Sequence, residues 1–484
     1  MSPRRSTSME RGTELRRAPA SPLSGADRLS LPNRLLLAAL CVALGTAGTA
    51  WAQPSPTSGG EGTTASSGDP SDGEPTPEEP SKKRKRARRE LPPVRTEPGI
   101  LPAISYDSDL GLGFGVITNF ARIDPEAVPY RWRLGAQAFL YLRPRPEGGV
   151  EVPFQSHYVR FDKPGLASGR VRLLLELSFR RHSNAGYHGL GNQSIRSEPW
   201  KSIDKEREPD SWARARRFHE YDRIYPRAEA EVRVQLPADL FAFGSTSLAW
   251  NWFQLYEGSQ LSQDLAGDPE AWQTQALVGV SRHGLLQGVA GMALDTRDDE
   301  TAPIAGMFHE VSVRGGPLLE LQQGFVGLNA TFRFFLPIHR DWISVAARLI
   351  LDGLFGSPPL YELARYGGTE ADDGPGGSTS LRGVLTHRYH GRGKVLSNLE
   401  LRSKFLRFRV ARQRSSLGAV LFLDAGRVWA DHRPRPELDG KTLGLHPGLG
   451  GGLRWQVGET FVIRLDVGWS PGQHGLYFDV GHVF

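Results

Sequence analysis

The sequence predicts an all-β fold, a closed antiparallel transmembrane β-barrel of about sixteen strands. From about residue 102 onward, segments of about ten residues alternate between apolar and polar side chains, which is the period of a β-strand. The polar faces of these segments carry charges at mid-strand, and apolar faces end in aromatic residues such as Trp342 and Trp469. A soluble sandwich would turn its apolar faces inward. Charges on one face and aromatic ends on the other are typical of a barrel with lipid outside and water inside.

The stretch FVGLNATFRFF illustrates the pattern. Val326, Leu328 and Phe334 share one face, whereas Asn329 and Arg333 share the other. In hydrocarbon every backbone polar group needs a partner, so the sheet has to close on itself.

The alternating pattern defines the predicted strands well from Gly284 to the end of the sequence and less well between residues 183 and 284. Long loops are expected at 183–217 and 355–393, and the short apolar run at 275–283 is left open as a strand or a loop. Short turns are expected at PADL, residues 237–240, and at IHRD, residues 338–341.

Residues 1–52 are predicted to be a secretory signal peptide with a long basic front. The stretch RLLLAALCVALGTAGTAWA has a basic start, an apolar centre and small residues at its end. We expect cleavage between Ala52 and Gln53. The only cysteine, Cys41, lies in this segment, so the mature chain would hold no disulfide.

Residues 53–101 are predicted to be a disordered linker, and residues 102–484 the barrel. The linker is rich in Pro, Ser, Gly and charged residues and has too few large apolar side chains to form a core. Its basic run Lys82–Arg89 has two interpretations. It is either a solvated part of the linker or an electrostatic contact with anionic headgroups or cell-wall material in the periplasm.

Catalytic, cofactor and metal motifs are not found. The sequence has no H-E-x-x-H, no G-x-S-x-G and no phosphate-binding lysine loop, and its glycine-rich stretches lie in predicted strands. His387 and His390 lack a third ligand, and the aspartates of LDTRDDETAPIAG fit a strand-ending turn balanced by Arg297. We therefore predict no enzyme, no cofactor, no metal site and no nucleic-acid partner.

Several motifs resemble those of one family when their order and spacing are taken together. They are YHGLGN at 187–192, LDTRDDETAPIAG at 294–306, YGGTE…SLRGV at 366–384, FLDAG at 422–426 and the closing GLYFDVGHVF. The chain is thus similar to the bacterial surface antigen family of BamA- and TamA-like outer-membrane assembly barrels. Assembly members of that family carry folded periplasmic (POTRA) repeats, and this sequence has only the linker in their place.

The resemblance implies a loop that folds back into the lumen and is held there by an arginine. Carried over, Arg382 with Gly383 forms the loop tip, and Asp424 and Glu400 are its acidic partners. Alternation independently places Asp424 and Glu400 on polar faces, opposite leucines. The alternative is that these are ordinary lumen charges.

The resemblance also implies a weak seam between the first and last strands, expected near residues 111–120 and 475–484. The residues predicted to form this seam are Gly111, Gly113, Gly115, Phe478 and Phe484. Phe484 is expected on the lipid face at the membrane interface.

The function expected from the resemblance is assembly, insertion or secretion of other membrane proteins in the bacterial outer membrane. The alternative is a passive pore or surface antigen without a client. Expected partners are outer-membrane lipid and lipopolysaccharide, client proteins, and a periplasmic protein that supplies the missing repeats.

Overall fold

The computed structural model describes residues 94–484 except 125–126, 301, 341, 411–412 and 458–460. The predicted signal peptide, its cleavage site Ala52–Gln53 and the basic run at 82–89 lie outside the described residues.

Sixteen strands form one antiparallel sheet that closes into a barrel, as predicted. Each strand pairs with its neighbours in sequence, and the last strand pairs with the first. A two-residue strand, Val150–Glu151, adds to the end of the third. The strands are β1 Arg95–Asp107, β2 Gly111–Asp124, β3 Ala127–Pro144, β4 Phe154–Leu166, β5 Val171–Gly186, β6 Glu220–Gln235, β7 Leu240–Leu255, β8 His283–Asp295, β9 Gly306–Leu319, β10 Gln323–His339, β11 Ile343–Gly356, β12 Gly393–Val410, β13 Gln413–Trp429, β14 His446–Val457, β15 Phe461–Ser470 and β16 Gln473–Val480.

The outer surface is apolar and the lumen is charged. Leu177 and Leu421 are 66% and 65% exposed on the outside, whereas Arg333, Asp352 and Asp466 are buried inside. A continuous apolar surface of this extent is unfavourable in water, so the outside of the barrel faces lipid. Within the described part of the chain, no helix is long and apolar enough to cross a membrane.

The two ends of the barrel differ in their connections. One end carries the long loops 187–219, 256–282, 357–392 and 430–445, and the other carries mostly short turns together with both ends of the described chain. In membrane barrels the long loops are extracellular and the short turns periplasmic. Residues 276–282 form no strand. The long loops contain the helices α1 Pro209–Arg216, α2 Gln260–Leu265, α3 Trp272–Gln275, α4 Leu360–Leu363 and α5 Pro436–Asp439, and a 3₁₀ turn Pro199–Ser202.

The barrel begins before the predicted boundary at residue 102. β1 starts at Arg95 and pairs with β2 from that residue onward. Pro98 and Pro102 in this stretch are typical of a linker. They are tolerated here because proline is allowed on strand edges, and most of the second edge of β1 has no strand partner among residues 94–484 as described.

The chain end does not lie on the lipid face, so the prediction for Phe484 was wrong. β16 ends at Val480, Gly481 adopts a φ of +94°, and the last residues turn into the lumen. Phe484 is 7% exposed and lies 6.4 Å from the ring of Phe335, and Arg402 donates to its carbonyl oxygen at 2.8 Å. The inward turn follows from the left-handed glycine and from these buried partners, neither of which the strand period reveals.

Candidate functional site

The long loop 357–392 is folded into the lumen and packs against the barrel wall. Its side chains share an apolar cluster with wall residues of β11, β12 and β13. The members of this cluster are Tyr366, Leu381, Val384, Tyr389, Ile350, Leu396 and Val428. Burial of this cluster offsets part of the entropy lost when a long loop is ordered.

The tip of this loop places Arg382 between carboxylates of three strands. Its Nε and Nη2 donate to the two carboxylate oxygens of Asp424 at 2.8 and 2.9 Å, and its Nη1 donates to Glu400 at 2.6 Å. Asp466 of β15 lies 3.5 Å from the same Nη1. The structure thus brings Arg382, Asp424 and Glu400 together in a fully buried site. A planar guanidinium can satisfy these carboxylates at once, which a lysine ammonium cannot.

The loop tip also touches the wall through its backbone. The backbone N–H of Arg382 donates to Asp424 at 3.1 Å, and that of Gly383 donates to the Tyr477 hydroxyl of β16 at 3.1 Å. The Arg382 guanidinium lies 3.5 Å from the centre of the Phe422 ring. The tip is therefore held by charge, backbone hydrogen bonds and a cation–π contact.

Glycines of the wall make this approach possible. A Cβ on Gly448 would lie 2.3 Å from the carbonyl oxygen of Arg382, and one on Gly468 would lie 2.7 Å from the nitrogen of Gly383. Neither glycine was predicted to contact the loop, and Gly448 lies in a glycine-rich stretch that was predicted to be a strand. Their signal was visible in the sequence as glycine on a strand face, which permits close approach of another backbone.

In a second set of contacts the charges are reversed, because the loop supplies the acids and the wall supplies the arginines. Arg314 of β9 donates to Glu362 of the loop at 2.9 Å and to Asp352 of β11 at 2.8 Å. Arg333 of β10 lies 2.6 Å from Glu370 of the loop. Sequence reasoning missed these pairs because nothing in the sequence indicates which loop acid meets which wall arginine.

The seam that closes the barrel is short. Only two residue pairs join β1 to β16, Tyr106 with Phe478 and Asp107 with Tyr477. The Ser105 hydroxyl adds a hydrogen bond of 2.9 Å to the carbonyl oxygen of Phe478. Below these pairs, no strand among the described residues lies beside the second edge of β1.

On its first side, the seam was predicted one strand too far along the chain. The structure closes the barrel at β1 and not at β2. Gly111, Gly113 and Gly115 lie on β2, one strand away from the seam. The rings of Phe139 and Tyr141 cover Gly113, and Phe139 also covers Gly115, so these positions are filled and not loosely packed. On the other side, Phe478 lies on the seam, whereas Phe484 has left the sheet.

Histidines join the loops at the extracellular end. The rings of His188 and His219 stack with centroids 4.2 Å apart, and His390 lies edge-on to Tyr187 at 5.3 Å. His390 also pairs with Leu190 in an isolated bridge. The YHGLGN stretch therefore connects the loop 187–219 to the loop 357–392.

The turn after β8 is stabilised by its own aspartates. The Asp298 carboxylate accepts from the backbone N–H groups of Ile304 and Ala305 at 2.9 and 3.0 Å. Arg297 donates twice to Asp295 at 2.8 Å. Among the described residues, no group of three or more His, Cys, Asp or Glu side chains is placed to hold a metal ion.

These features define a class, a closed transmembrane barrel whose lumen holds its own extracellular loop and whose sheet closes at a short seam. Residues 283–484, from β8 onward, match the model of the Omp85 superfamily domain. The resemblance to outer-membrane assembly barrels is confirmed at the level of this superfamily.

Solved structures with a similar course of the chain are distant in sequence. BamA from Haemophilus ducreyi lacking POTRA domains 1–3 is 14% identical, with a TM-score of 0.49 over 80% of this chain and 70% of that one. CdiB from Escherichia coli is 12% identical, with a TM-score of 0.47 over 81% of this chain and 63% of that one. CdiB from Acinetobacter baumannii is 12% identical, with a TM-score of 0.43 over 80% of this chain and 65% of that one. This chain thus spans less than two thirds of either CdiB structure. No curated protein matches the chain.

Proposed function

We propose that the protein is an integral barrel of the bacterial outer membrane that acts in the assembly, insertion or secretion of other polypeptides. It acts without catalysing a chemical reaction. The observation that carries this proposal is the short seam between β1 and β16.

The free edge of β1 is costly in a bilayer unless something pairs with it. Within the part of the chain that the structure describes, β1 is paired from Arg95 to about Ala103 with β2 alone. An unpaired backbone group in hydrocarbon costs several kcal/mol, roughly the net worth of several ordinary hydrogen bonds. Such an edge favours the addition of a strand from another polypeptide.

Opening the seam breaks few interactions compared with opening any neighbouring pair of strands. β15 and β16 are paired from Ile463–Val480 to Ser470–Gln473, and β1 and β2 along the whole of β1. The two pairs of the seam are therefore the weakest closure of the barrel. Loop 357–392 would keep the lumen occupied while the seam opens.

A periplasmic partner is part of this proposal. The described residues include no folded unit outside the barrel that could collect client chains. We therefore propose that a separate periplasmic protein delivers the clients, and that lipid and lipopolysaccharide surround the apolar wall.

A cross-link across the seam tests the proposal. Tyr106→Cys together with Phe478→Cys places two cysteines at paired positions. Leu399→Cys with Leu423→Cys is the matched control, since this pair joins β12 and β13 on the lipid face, away from the seam. The variants replace the native protein in cells, and the outer-membrane proteins are quantified with and without a reductant.

The oxidised seam variant should lose outer-membrane proteins, and the reductant should restore them. The control pair should have no effect in either state. Full activity with the seam cross-linked would contradict the proposal and favour a passive barrel.

A further inference from the structure

The loop tip continues along the lumen side of the seam. The backbone N–H of Leu385 donates to Gln473 Oε1 at 3.1 Å, next to the contact of Gly383 with Tyr477. Both Gln473 and Tyr477 belong to β16. Residues 383–386 are called the strap below, and the first part of the strap is therefore bound to the last strand of the barrel.

The next residue of the strap reaches the other side of the seam. The backbone N–H and the hydroxyl of Thr386 donate to Asp109 Oδ2 at 3.0 and 3.4 Å. Asp109 lies in the turn 108–110, which joins β1 to β2. The strap thus crosses the seam inside the barrel, with one end on the last strand and the other end on the first hairpin.

The turn that carries Asp109 is bound both to the first strands and to the seam. The Asp109 N–H donates to Asp107 Oδ1 at 2.7 Å, and the Asp109 carbonyl accepts from Arg143 of β3 at 3.4 Å. The Ser108 N–H donates across the seam to the Leu476 carbonyl of β16 at 3.2 Å. The position of Asp109 is therefore coupled directly to closure of the seam.

The two ends of the strap are anchored unequally. At the last-strand end, Arg382 is fully buried against Asp424 and Glu400, and two backbone N–H groups of the strap add to this contact. At the first-hairpin end, Thr386 donates to one oxygen of a single, partly exposed carboxylate. Separating a buried ion network costs far more than separating hydrogen bonds that water can replace. The strap should therefore release at Asp109 and stay on β16.

We propose that the strap is a latch on the seam. While Thr386 is bound to Asp109, the first hairpin is held against β16, and the seam opens when this contact separates. Loop 357–392 then stays in the lumen with the last strands, and the hairpin of β1 and β2 moves away from it. This inference rests on the proposed function, because it names the contact that keeps the proposed opening closed.

The alternative is a purely structural role for the same contact. In that case Asp109 and Thr386 only fix the course of the loop, and closure of the seam does not depend on them. The two roles differ in which amides exchange faster when the contact is removed. The Ser108 N–H reports the seam, and the Gly383 N–H reports the hold of the loop on β16.

Hydrogen–deuterium exchange of single amides tests the inference. The full chain is held in phosphatidylcholine nanodiscs without a client, and single amides are resolved by fragmentation in the mass spectrometer. The test variant is Asp109→Ala. Asp109→Asn is its conservative partner, because the amide oxygen can still accept from Thr386. The matched control is Asp204→Ala, since that carboxylate also accepts from two backbone N–H groups, those of Glu206 and Arg207, in the loop 187–219.

The inference predicts faster exchange at Ser108 and unchanged exchange at Gly383 in Asp109→Ala. The Ser108 amide should exchange about tenfold faster or more, since two hydrogen bonds to a charged group are lost. The Ser108 rate of Asp109→Asn should lie between that of Asp109→Ala and that of the native chain. The control should match the native chain at both amides.

Arg382→Ala tests the inference from the other end of the strap. The loop tip then loses its main anchor on the wall, so both reporter amides should exchange faster. Adding Asp109→Ala to Arg382→Ala should change the Ser108 rate little, because a strap released at one end no longer holds the seam. An effect of Asp109→Ala confined to the turn 108–110 would not give this result.

Three results would overturn the inference. They are an unchanged Ser108 rate in Asp109→Ala, equal acceleration of Ser108 and Gly383 in Asp109→Ala, and additive effects of Asp109→Ala and Arg382→Ala on the Ser108 rate. A Ser108 amide as slow as those of β10 in every variant would contradict the opening of the seam itself, and with it the proposed function. Faster native exchange that does not respond to Asp109→Ala would contradict the latch alone.

Discussion

At the scale of single residues, one guanidinium connects the loop to three strands of the wall. Arg382 is fully buried together with its partners Asp424, Glu400 and Asp466. A buried charge network of this kind contributes little net stability when complete, but it is costly when one member is removed.

Replacement of Arg382 is expected to release the loop. Arg382→Ala leaves buried carboxylates without their cation, which costs about 3–5 kcal/mol. The apparent unfolding temperature of the detergent-solubilised barrel should fall, and proteolysis of the loop 357–392 should accelerate. Arg382→Lys should restore only part of the lost stability. The lysine ammonium cannot donate to two carboxylates in one plane as the planar guanidinium does. Unchanged protease sensitivity in Arg382→Ala would mean that Arg382 is an ordinary lumen charge.

The wall glycines offer an independent test of the same contact. Gly468→Ala places a Cβ 2.7 Å from the nitrogen of Gly383, so the loop tip has to move. We expect the protease sensitivity of the loop to rise as it does for Arg382→Ala. Gly353→Ala is the control, because its Cβ would meet no atom closer than 3.9 Å. Equal behaviour of the two alanine variants would argue against close contact of the loop tip with β15.

Part of this site could be predicted from the sequence and part could not. Arg382, Asp424 and Glu400 were identified by the resemblance, and the period of the strands gave the side on which the two acids lie. Asp466 and Arg314 were not identified, because their role depends on where the loop comes to rest inside the barrel. That position is a tertiary property with no local sequence pattern.

At the scale of elements, the extracellular loops depend on neutral histidines. Burial lowers the pKa of His188, His219 and His390 below the ordinary value, and for His188 and His390 well below it. The backbone carbonyls of Tyr187 and Ser197 partly oppose this for His219. The cationic or titratable groups that also face these three rings are Arg196, Arg388, Lys394 and His387.

Acidification should therefore loosen the contact between the loops 187–219 and 357–392. A histidine with a lowered pKa in the packed state stabilises that state above pH 6.5, and this stability is lost as the pH falls below 6.5. At pH 5, protonation of each such histidine shifts the equilibrium constant between packed and loosened loops by up to about thirtyfold towards the loosened state. The measurement is protease sensitivity of the loop 187–219 between pH 7.5 and pH 5.

A variant without these three histidines should lose most of this response. His188→Gln, His219→Gln and His390→Gln together are expected to give a much flatter pH profile, and the remaining response is expected from His446, which contacts Asn192 and Tyr389 of the same two loops. His474→Gln, at an exposed position, should keep the native profile. A pH-independent native protein would contradict the assignment.

The strand elements themselves were largely predictable. Alternation fixed which side chains of β10 face lipid, since a slip by one residue would have exchanged the faces. The first and last strands were less well predicted. Prolines hid the start of β1, and a single left-handed glycine ended β16 before the chain ends.

At the scale of the whole molecule, the lumen is closed by three parts of its own chain. They are the loop 357–392, the turn after β8 and the last residues after β16. Loop 357–392 fills the extracellular side. At the periplasmic mouth, Ala302 and Pro303 of the turn after β8 share a small cavity of about 30 Å³ with His482 and Arg402. A larger polar cavity of about 370 Å³ remains between the loop and the wall of β4–β9.

The native barrel should therefore not conduct as a steady wide pore. Planar bilayers containing the native protein are expected to show at most brief openings, whereas Arg382→Ala should give larger and longer ones. Steady, ion-permeable channels in the native protein would favour the passive pore over the proposed function.

Hydrogen–deuterium exchange of the barrel in nanodiscs tests the central claim, the weak seam, most directly. Peptides from β1 should show rapid exchange of alternate amides between Arg95 and Ala103, while peptides from β2 and β10 stay protected over hours. Equal, slow exchange in β1, β2 and β10 would show a seam as firmly paired as the rest of the sheet and would contradict the account.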